Sequence, residues 1–103
     1  MPVLEIKILP LGTKTASVSA SIARAVAVLR QMKGIKYQVT PMGTIIEAES
    51  VAKLFQVAQK MHKAALTGRV QRVVTFLELD DRRDKKVTAA GKMKSLAKHL
   101  SRK

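Results

Sequence analysis

The sequence predicts an α+β domain in which four strands form one antiparallel sheet and two helices cover one face of it. Four segments alternate between apolar and polar residues, as half-buried strands do. Two longer segments repeat apolar residues at helical spacing. Only a few residues connect the second and third strands, so these two strands should form a hairpin.

The first half of the chain supplies a strand, a helix and a hairpin. The first strand is predicted over residues 3–9, and Pro10 to Thr13 should then turn the chain. A helix is predicted over residues 15–32, and Gly34 provides its C-terminal stop. The hairpin strands are predicted over residues 35–40 and 44–49.

The second half supplies a helix, a strand and a basic end. The second helix is predicted over residues 50–66, with Phe55 on its apolar stripe and Gly68 at its end. The fourth strand is predicted over residues 70–79. A short third helix is predicted over residues 88–103, with lysines around a narrow apolar side.

The resulting order, β-α-β-β-α-β followed by a helix, is that of the ferredoxin-like βαββαβ sandwich. We expect one ferredoxin-like domain over residues 1–87 and a basic C-terminal helix or tail over residues 88–103. The first and third strands should be the central pair. Because two helices cover only one face, the other sheet face should be open.

The open face should carry charged and polar side chains around an apolar centre. By alternation that centre consists of Ile45, Val74 and Phe76. An apolar centre with a charged rim is typical of a surface that another subunit or a ligand covers. The sequence therefore favours self-association over an exposed sheet.

Composition narrows the classes of protein further. The chain has 103 residues, no cysteine and a formal net charge of +13. Disulfides and thiolate metal sites are thereby excluded. No apolar run approaches the ~20 residues of a membrane-spanning helix, and the N-terminus lacks a signal-peptide pattern, so we expect a cytoplasmic protein without a membrane partner. The positive charge is a weak indication of nucleic-acid binding.

Several kinds of active site are disfavoured by the residues present. His62 and His99 lie in different elements, and neither has a second histidine at helical spacing, so neither a metal site nor a Ser-His-acid triad is expected. Phosphate-loop patterns are absent. The two central strands lack the aromatic residues on which RNA-binding modules of this fold stack bases. Acylphosphatase uses an Asn on this fold, and this chain contains none.

Four motifs together resemble the thiamine-binding protein family. They are Pro10-Leu11-Gly12-Thr13, then Ser17-Val18-Ser19, then Met42-Gly43-Thr44-Ile45-Ile46-Glu47-Ala48-Glu49, and finally Asp80-Asp81-Arg82-Arg83-Asp84-Lys85. The resemblance covers residues 3–86. It implies a ferredoxin-like subunit that assembles into dimers and usually tetramers. It also implies binding of thiamine or its hydroxymethylpyrimidine precursor, with no catalysis and no cofactor.

The resemblance also suggests which residues contact the ligand. Glu47 would receive the aminopyrimidine N–H or offset the thiazolium charge, while Thr13, Ser17 and Thr44 would give hydroxyl hydrogen bonds. Tyr37 or Phe76 would pack against a ring. The ligand-binding residues carried over by motif are Gly12, Thr13, Ser17, Ser19, Thr44, Glu47, Arg82 and Asp84.

Two other functions stay open at this point. The segment 91–103 is purely basic, which departs from the mixed charge expected in the family. The chain could therefore bind nucleic acid by charge through this tail. It could also be a structural or regulatory module that associates only with itself.

Overall fold

A computed structural model of the chain describes residues 1–12, 19–67, 70–83 and 89–100. Its strands and helices follow the predicted order. In sequence they are β1 (Val3–Leu11), α1 (Ser19–Gln31), β2 (Ile35–Thr40), β3 (Gly43–Ala48), α2 (Val51–Ala65), β4 (Arg72–Asp80) and α3 (Ala89–Leu100).

The four strands form one antiparallel sheet in the order β2-β3-β1-β4, so β1 and β3 are central as predicted. The ferredoxin-like arrangement is thereby confirmed. Register places Ile6 opposite Thr44 on one side and Leu77 on the other. Because facing residues project to the same side of a sheet, this register fixes which side chains share each face.

Strand β1 is longer than predicted, and the expected turn at Pro10 is wrong. Pro10 lies within the strand, opposite Val73 of β4. Pairing with β3 ends at Ile6 and Thr44, so β1 has a free edge beyond that point, and an edge tolerates a residue without a backbone N–H. The turn begins at Gly12, whose φ of 73° favours glycine.

The core lies between the sheet and the two helices α1 and α2. Its largest fully buried side chains are Leu4, Ile6, Leu29, Ile46, Leu54, Val57 and Met61. Placing Phe55 on the buried stripe was wrong, since it is 48% exposed. The stripe of α2 runs through Leu54, Val57 and Met61, and one residue beyond Leu54 the helix has already turned about 100° away from the sheet.

The hairpin between β2 and β3 turns through Pro41 and Met42. Proline holds φ negative, and in the described residues positive φ occurs only at glycines, so a primed turn does not form here. The Thr40 hydroxyl compensates by accepting from the backbone N–H groups of Met42 (3.2 Å) and Gly43 (3.1 Å). It also donates to the Gly43 carbonyl at 2.7 Å.

Both ends of α2 are satisfied by side chains. Ser50 is the N-cap, with extended φ and ψ of −139° and 154°, and its hydroxyl accepts from the Lys53 N–H at 3.1 Å. At the other end the Arg24 guanidinium of α1 donates to the carbonyls of Ala64 (3.4 Å) and Thr67 (3.2 Å). Leu66 is the C-cap, and Gly68, the expected stop, lies outside the described residues.

Helix α3 begins against the open sheet face. Lys92 forms an ion pair with Asp80, and Met93 lies beside Ile45 in two hollows of this face. The apolar side of α3 is nonetheless exposed, with Met93, Leu96 and Leu100 at 64%, 51% and 59%. Among the described helices, none combines the length and the hydropathy that crossing a bilayer requires.

Candidate functional site

A cavity of about 440 Å³ lies between the first turns of α1 and the sheet, beside the β2–β3 hairpin. Its volume falls within the roughly 300–1,000 Å³ typical of small-molecule sites. Strand β1 forms its floor through Ile6 and Ile8, and α1 forms one wall through Ile22 and Val26. The hairpin forms the opposite wall.

The hairpin wall combines apolar side chains with one buried hydroxyl. Val39 and Met42 are 51% and 68% exposed and lie at the mouth, where they present apolar surface to solvent. Thr44 is only 6% exposed and lies deeper, on the helix side of β3. The cavity therefore suits a flat, largely apolar group that carries a hydrogen-bonding edge.

Charged side chains are nearly absent from the described residues that line this cavity. Lys7 is the exception, and strand alternation directs its side chain to the open sheet face, because its neighbours Ile6 and Ile8 are buried under the helices. A ligand in the cavity would therefore be held by packing and by hydrogen bonds to Thr44 or the hairpin backbone. It would not be held by an ion pair with these residues.

Two of the predicted site residues, Thr44 and Glu47, project from opposite faces of the sheet. They are three residues apart on β3, and side chains on a strand alternate between faces. Glu47 lies opposite Val3 of β1 and Lys36 of β2. With Lys36, Ala90 and Met93 it lines a separate hollow of about 430 Å³ beneath the start of α3.

The predicted residues after β4 lie at the far end of the sheet from the cavity. Asp80 pairs with Val3, five residues along β1 from Ile8 on the cavity floor, which corresponds to roughly 17 Å of extended strand. Arg82 follows Asp80 and is exposed. Asp84 lies outside the described residues.

The predicted residues around the first turn belong to the cavity end of the sheet. Gly12 directly follows β1, and Ser19 begins α1, the two elements that form the floor and one wall. The Ser19 side chain is not described, and Thr13 and Ser17 lie outside the described residues. Of the predicted residues that the structure describes, Thr44 therefore lines the cavity, Gly12 and Ser19 lie toward the same end of the sheet, and Glu47 and Arg82 lie away from it.

The two aromatic candidates also lie apart from the cavity. Phe76 is 54% exposed on the open face, opposite Lys7. Tyr37 faces the helix side, since its register partner Ile46 is fully buried. The residues that do form the cavity mouth, Val39 and Met42, were not among the predicted site residues. The apolar Met42 at a hairpin tip was the available signal, because such tips are usually polar.

The described residues contain no group of three or more His, Cys, Asp or Glu side chains that could hold a metal ion. His62 instead makes a contact of 2.6 Å between its Nδ1 and the Thr75 hydroxyl, which joins α2 to β4. The contact between α2 and β4 therefore gives His62 a structural role.

Comparison with known proteins gives consistent results over nearly the whole chain. The UPF0045 protein YqgV of Bacillus subtilis is 46% identical over 103 residues, covering 97% of this chain and 98% of the relative. The crystal structure of hypothetical protein MJ1052 from Methanocaldococcus jannaschii is 33% identical, with a TM-score of 0.82 and coverage of 93% and 95%.

A third likeness supports the fold alone. The crystal structure of a Thermotoga maritima protein, described as a candidate for thiamine biosynthesis or salvage, is 21% identical. Its TM-score is 0.75, and the match covers 92% of this chain and 97% of that one.

The profile of the family described as "Thiamine-binding protein" matches residues 4–97, from β1 into α3. This chain therefore belongs to the thiamine-binding protein family, as its motifs predicted.

Proposed function

We propose that the chain binds thiamine or a related pyrimidine or thiazolium compound, without catalysis, in the cavity between α1 and the β2–β3 hairpin. The observation that carries this proposal is the apolar cavity with the buried hydroxyl of Thr44 on its wall. Membership of the thiamine-binding family supports the ligand class. The description of the Thermotoga maritima protein as a thiamine biosynthesis or salvage candidate is consistent with it.

The cavity matches the chemistry of an aminopyrimidine. A flat ring can lie between the α1 wall and the hairpin wall, where the Met42 thioether is available for a sulfur–aromatic contact. The Thr44 hydroxyl both donates and accepts, so it can serve a ring nitrogen or an exocyclic amine. The cationic thiazolium would then lie toward the open mouth, where water compensates its charge.

The hollow beneath α3 is the rival location. There Glu47 would meet the thiazolium cation, as the sequence suggested, with Met93 beside the ring. Lys36 lies directly opposite Glu47 on β2, and its positive charge would repel a cation bound in this hollow. We therefore favour the helix-side cavity.

Calorimetry with thiamine and with hydroxymethylpyrimidine tests both the ligand and the location. Thr44→Val keeps the shape and removes the hydroxyl, so we expect the Kd to rise about 2- to 12-fold, the equivalent of about 0.5–1.5 kcal/mol. Glu47→Gln is the matched control and should leave the Kd within about twofold, since Glu47 does not touch a ligand in the helix-side cavity. Absence of heat with the unaltered protein would reject the proposed ligand class, and the reverse ranking of the variants would move the site to the open face.

We further propose that the subunit forms a homo-oligomer, a dimer or a tetramer, through the open sheet face. Apolar side chains lie there on both β1 and β4, where Leu9 is the register partner of Val74. They are Leu9 at 41% exposure, Leu11 at 39%, Phe76 at 54% and the half-buried Val74. A contiguous apolar surface of this kind is typical of an interface.

Sedimentation velocity tests the assembly. Phe76→Ser should shift the protein toward a monomer, because it removes the most exposed aromatic side chain of the open face. Phe55→Ser is the matched control, since Phe55 is similarly exposed but lies on α2, which covers the other face. A wild-type protein that sediments as a monomer would contradict the proposed assembly.

A further inference from the structure

The acidic residues of this chain all lie outside its two packed helices α1 and α2. In the sequence, the acidic residues belong to the strands or to the segments that follow them, at Glu5, Glu47, Glu49, Glu78, Asp80, Asp81 and Asp84. Neither α1 nor α2 contains an aspartate or a glutamate. The positive charge of α1 and α2 is therefore not offset by any carboxylate on the same two helices.

Four exposed cations on this layer define what we call the basic helix surface. Arg30 belongs to α1, Lys33 to the turn after it, and Lys60 and Lys63 to α2. The surface crosses the seam between the helices, because the Lys60 Nζ lies 3.8 Å from the Met32 Sδ at the end of α1. Arg24 lies on the same seam but already donates to the last carbonyls of α2, so it is not counted.

The residues between these cations are small or neutral and polar. Ala23 and Ala27 are exposed on α1, and Gln56 and Gln59 are exposed on α2. Large apolar side chains lie elsewhere on these helices. Ile22 is at the cavity, and Phe55 is one helical heptad from His62, on the side of α2 that meets β4. An interfacial membrane helix would instead place Trp, Phe or Leu opposite its lysines and bury that face in lipid.

We propose that the basic helix surface binds the phosphate backbone of duplex nucleic acid without reading its base sequence. Lysine and arginine supply the counterion-release term that dominates such binding. The glutamine side chains donate hydrogen bonds to phosphate and sugar oxygens. The alanine side chains are small, so the nucleic-acid backbone can approach the helices closely. Proteins that bind single strands usually stack the bases on exposed aromatic side chains. The described residues of this surface, between its four cations, include no exposed aromatic side chain.

This surface is separate from the basic C-terminal helix and from the ligand cavity. Helix α3 lies on the opposite side of the sheet, where Lys92 pairs with Asp80. The cavity wall uses Ile22 and Val26, on the α1 face that packs toward the sheet. Nucleic-acid binding by the helix layer therefore does not depend on the proposed ligand.

Fluorescence anisotropy with a short labelled DNA duplex of mixed sequence, measured over a salt series, tests the proposal. Arg30→Gln/Lys60→Gln/Lys63→Gln should reduce the slope of log K against log salt by about 2–3, since each phosphate that is no longer neutralised lowers the slope by about 0.9. Lys92→Gln/Lys94→Gln/Lys98→Gln removes three charges from α3 and is the matched control, whose slope should stay close to that of the unaltered protein. Lys60→Gln alone, a single surface change, should lower the slope by about 1.

Three results would overturn the proposal. Equal reductions of the slope in the two triple variants would show that net charge alone causes the binding, and a reduction confined to the α3 variant would assign it to the tail. Binding to phosphatidylserine vesicles but not to the duplex would assign the surface to a membrane. Circular dichroism melting curves that match the unaltered protein confirm that each variant is folded, so a reduced slope cannot be attributed to unfolding.

Discussion

Replacing Gly43 with alanine tests how closely β3 must approach β1 at the cavity. A Cβ built at this position would lie 3.0 Å from the Ile6 carbonyl oxygen and 3.5 Å from the Glu5 Cγ. The Ile6 carbonyl oxygen belongs to the backbone of a central strand, so it cannot rotate away from the added methyl group. We therefore expect the two strands to separate by a few tenths of an ångström at the point where their pairing ends.

Two opposing effects set the size of the change in stability. Overpacking of this kind costs roughly 1–3 kcal/mol. Alanine has less conformational freedom than glycine in the unfolded chain, and this difference stabilises the folded protein by about 0.4–1 kcal/mol. Mid-range values of the two effects, about 2 and about 0.7 kcal/mol, leave a net destabilisation of about 1 kcal/mol, which for a domain of this size corresponds to a fall in Tm of roughly 4–8 °C.

Gly34 provides the comparison that isolates the cause. At Gly34 a side chain is disfavoured by the positive φ of 78° and not by steric contact, since nothing lies within 4 Å of a Cβ built there. Asparagine tolerates this conformation, so Gly34→Asn should be milder than Gly34→Ala, whereas Gly43→Asn should be at least as harmful as Gly43→Ala. Thermal melting followed by circular dichroism measures all four variants. A Gly43→Ala protein that melts at or above the wild-type temperature would refute the reasoning.

Two further predictions concern the ends of α2. Ser50→Ala removes the hydroxyl that accepts from the Lys53 N–H and should cost about 1 kcal/mol, while Ser50→Asp should retain stability; equal melting temperatures for the two variants would contradict the capping role. Arg24→Gln removes the charged donor at the carbonyls of Ala64 and Thr67 and should cost about 1 kcal/mol in denaturant unfolding. The Thr67 hydroxyl still donates to the Ala64 carbonyl at 2.8 Å, so a destabilisation well above this value would mean that Arg24 has another role.

Periodicity predicted the fold because each strand has one apolar face. Leu4, Ile6 and Ile8 are buried as their alternation indicated, and α2 begins directly after its N-cap Ser50, within one residue of the predicted boundary. The same reasoning failed at Pro10. Its effect on a strand depends on whether a neighbouring strand needs its N–H, and that is a property of the sheet rather than of the local sequence.

The candidate site could be predicted only in part. The motif that contains Thr44 and Glu47 was recognised as one unit, although strand alternation already places these residues on opposite faces. Val39 and Met42 became cavity residues because the hairpin tip extends beyond the end of β1 pairing, near α1. Such a juxtaposition arises from tertiary packing and leaves no periodic signal along the chain.

The methionines allow a direct measurement of where the ligand binds. Met42 and Met61 line the helix-side cavity, whereas Met93 lies over the open face in the hollow that contains Glu47. We would label the methionine methyl groups with ¹³C and record intermolecular nuclear Overhauser effects to the ring protons of bound thiamine. We predict cross-peaks to Met42 and Met61 and none to Met93. Cross-peaks to Met93 without any to Met42 would contradict binding in the helix-side cavity.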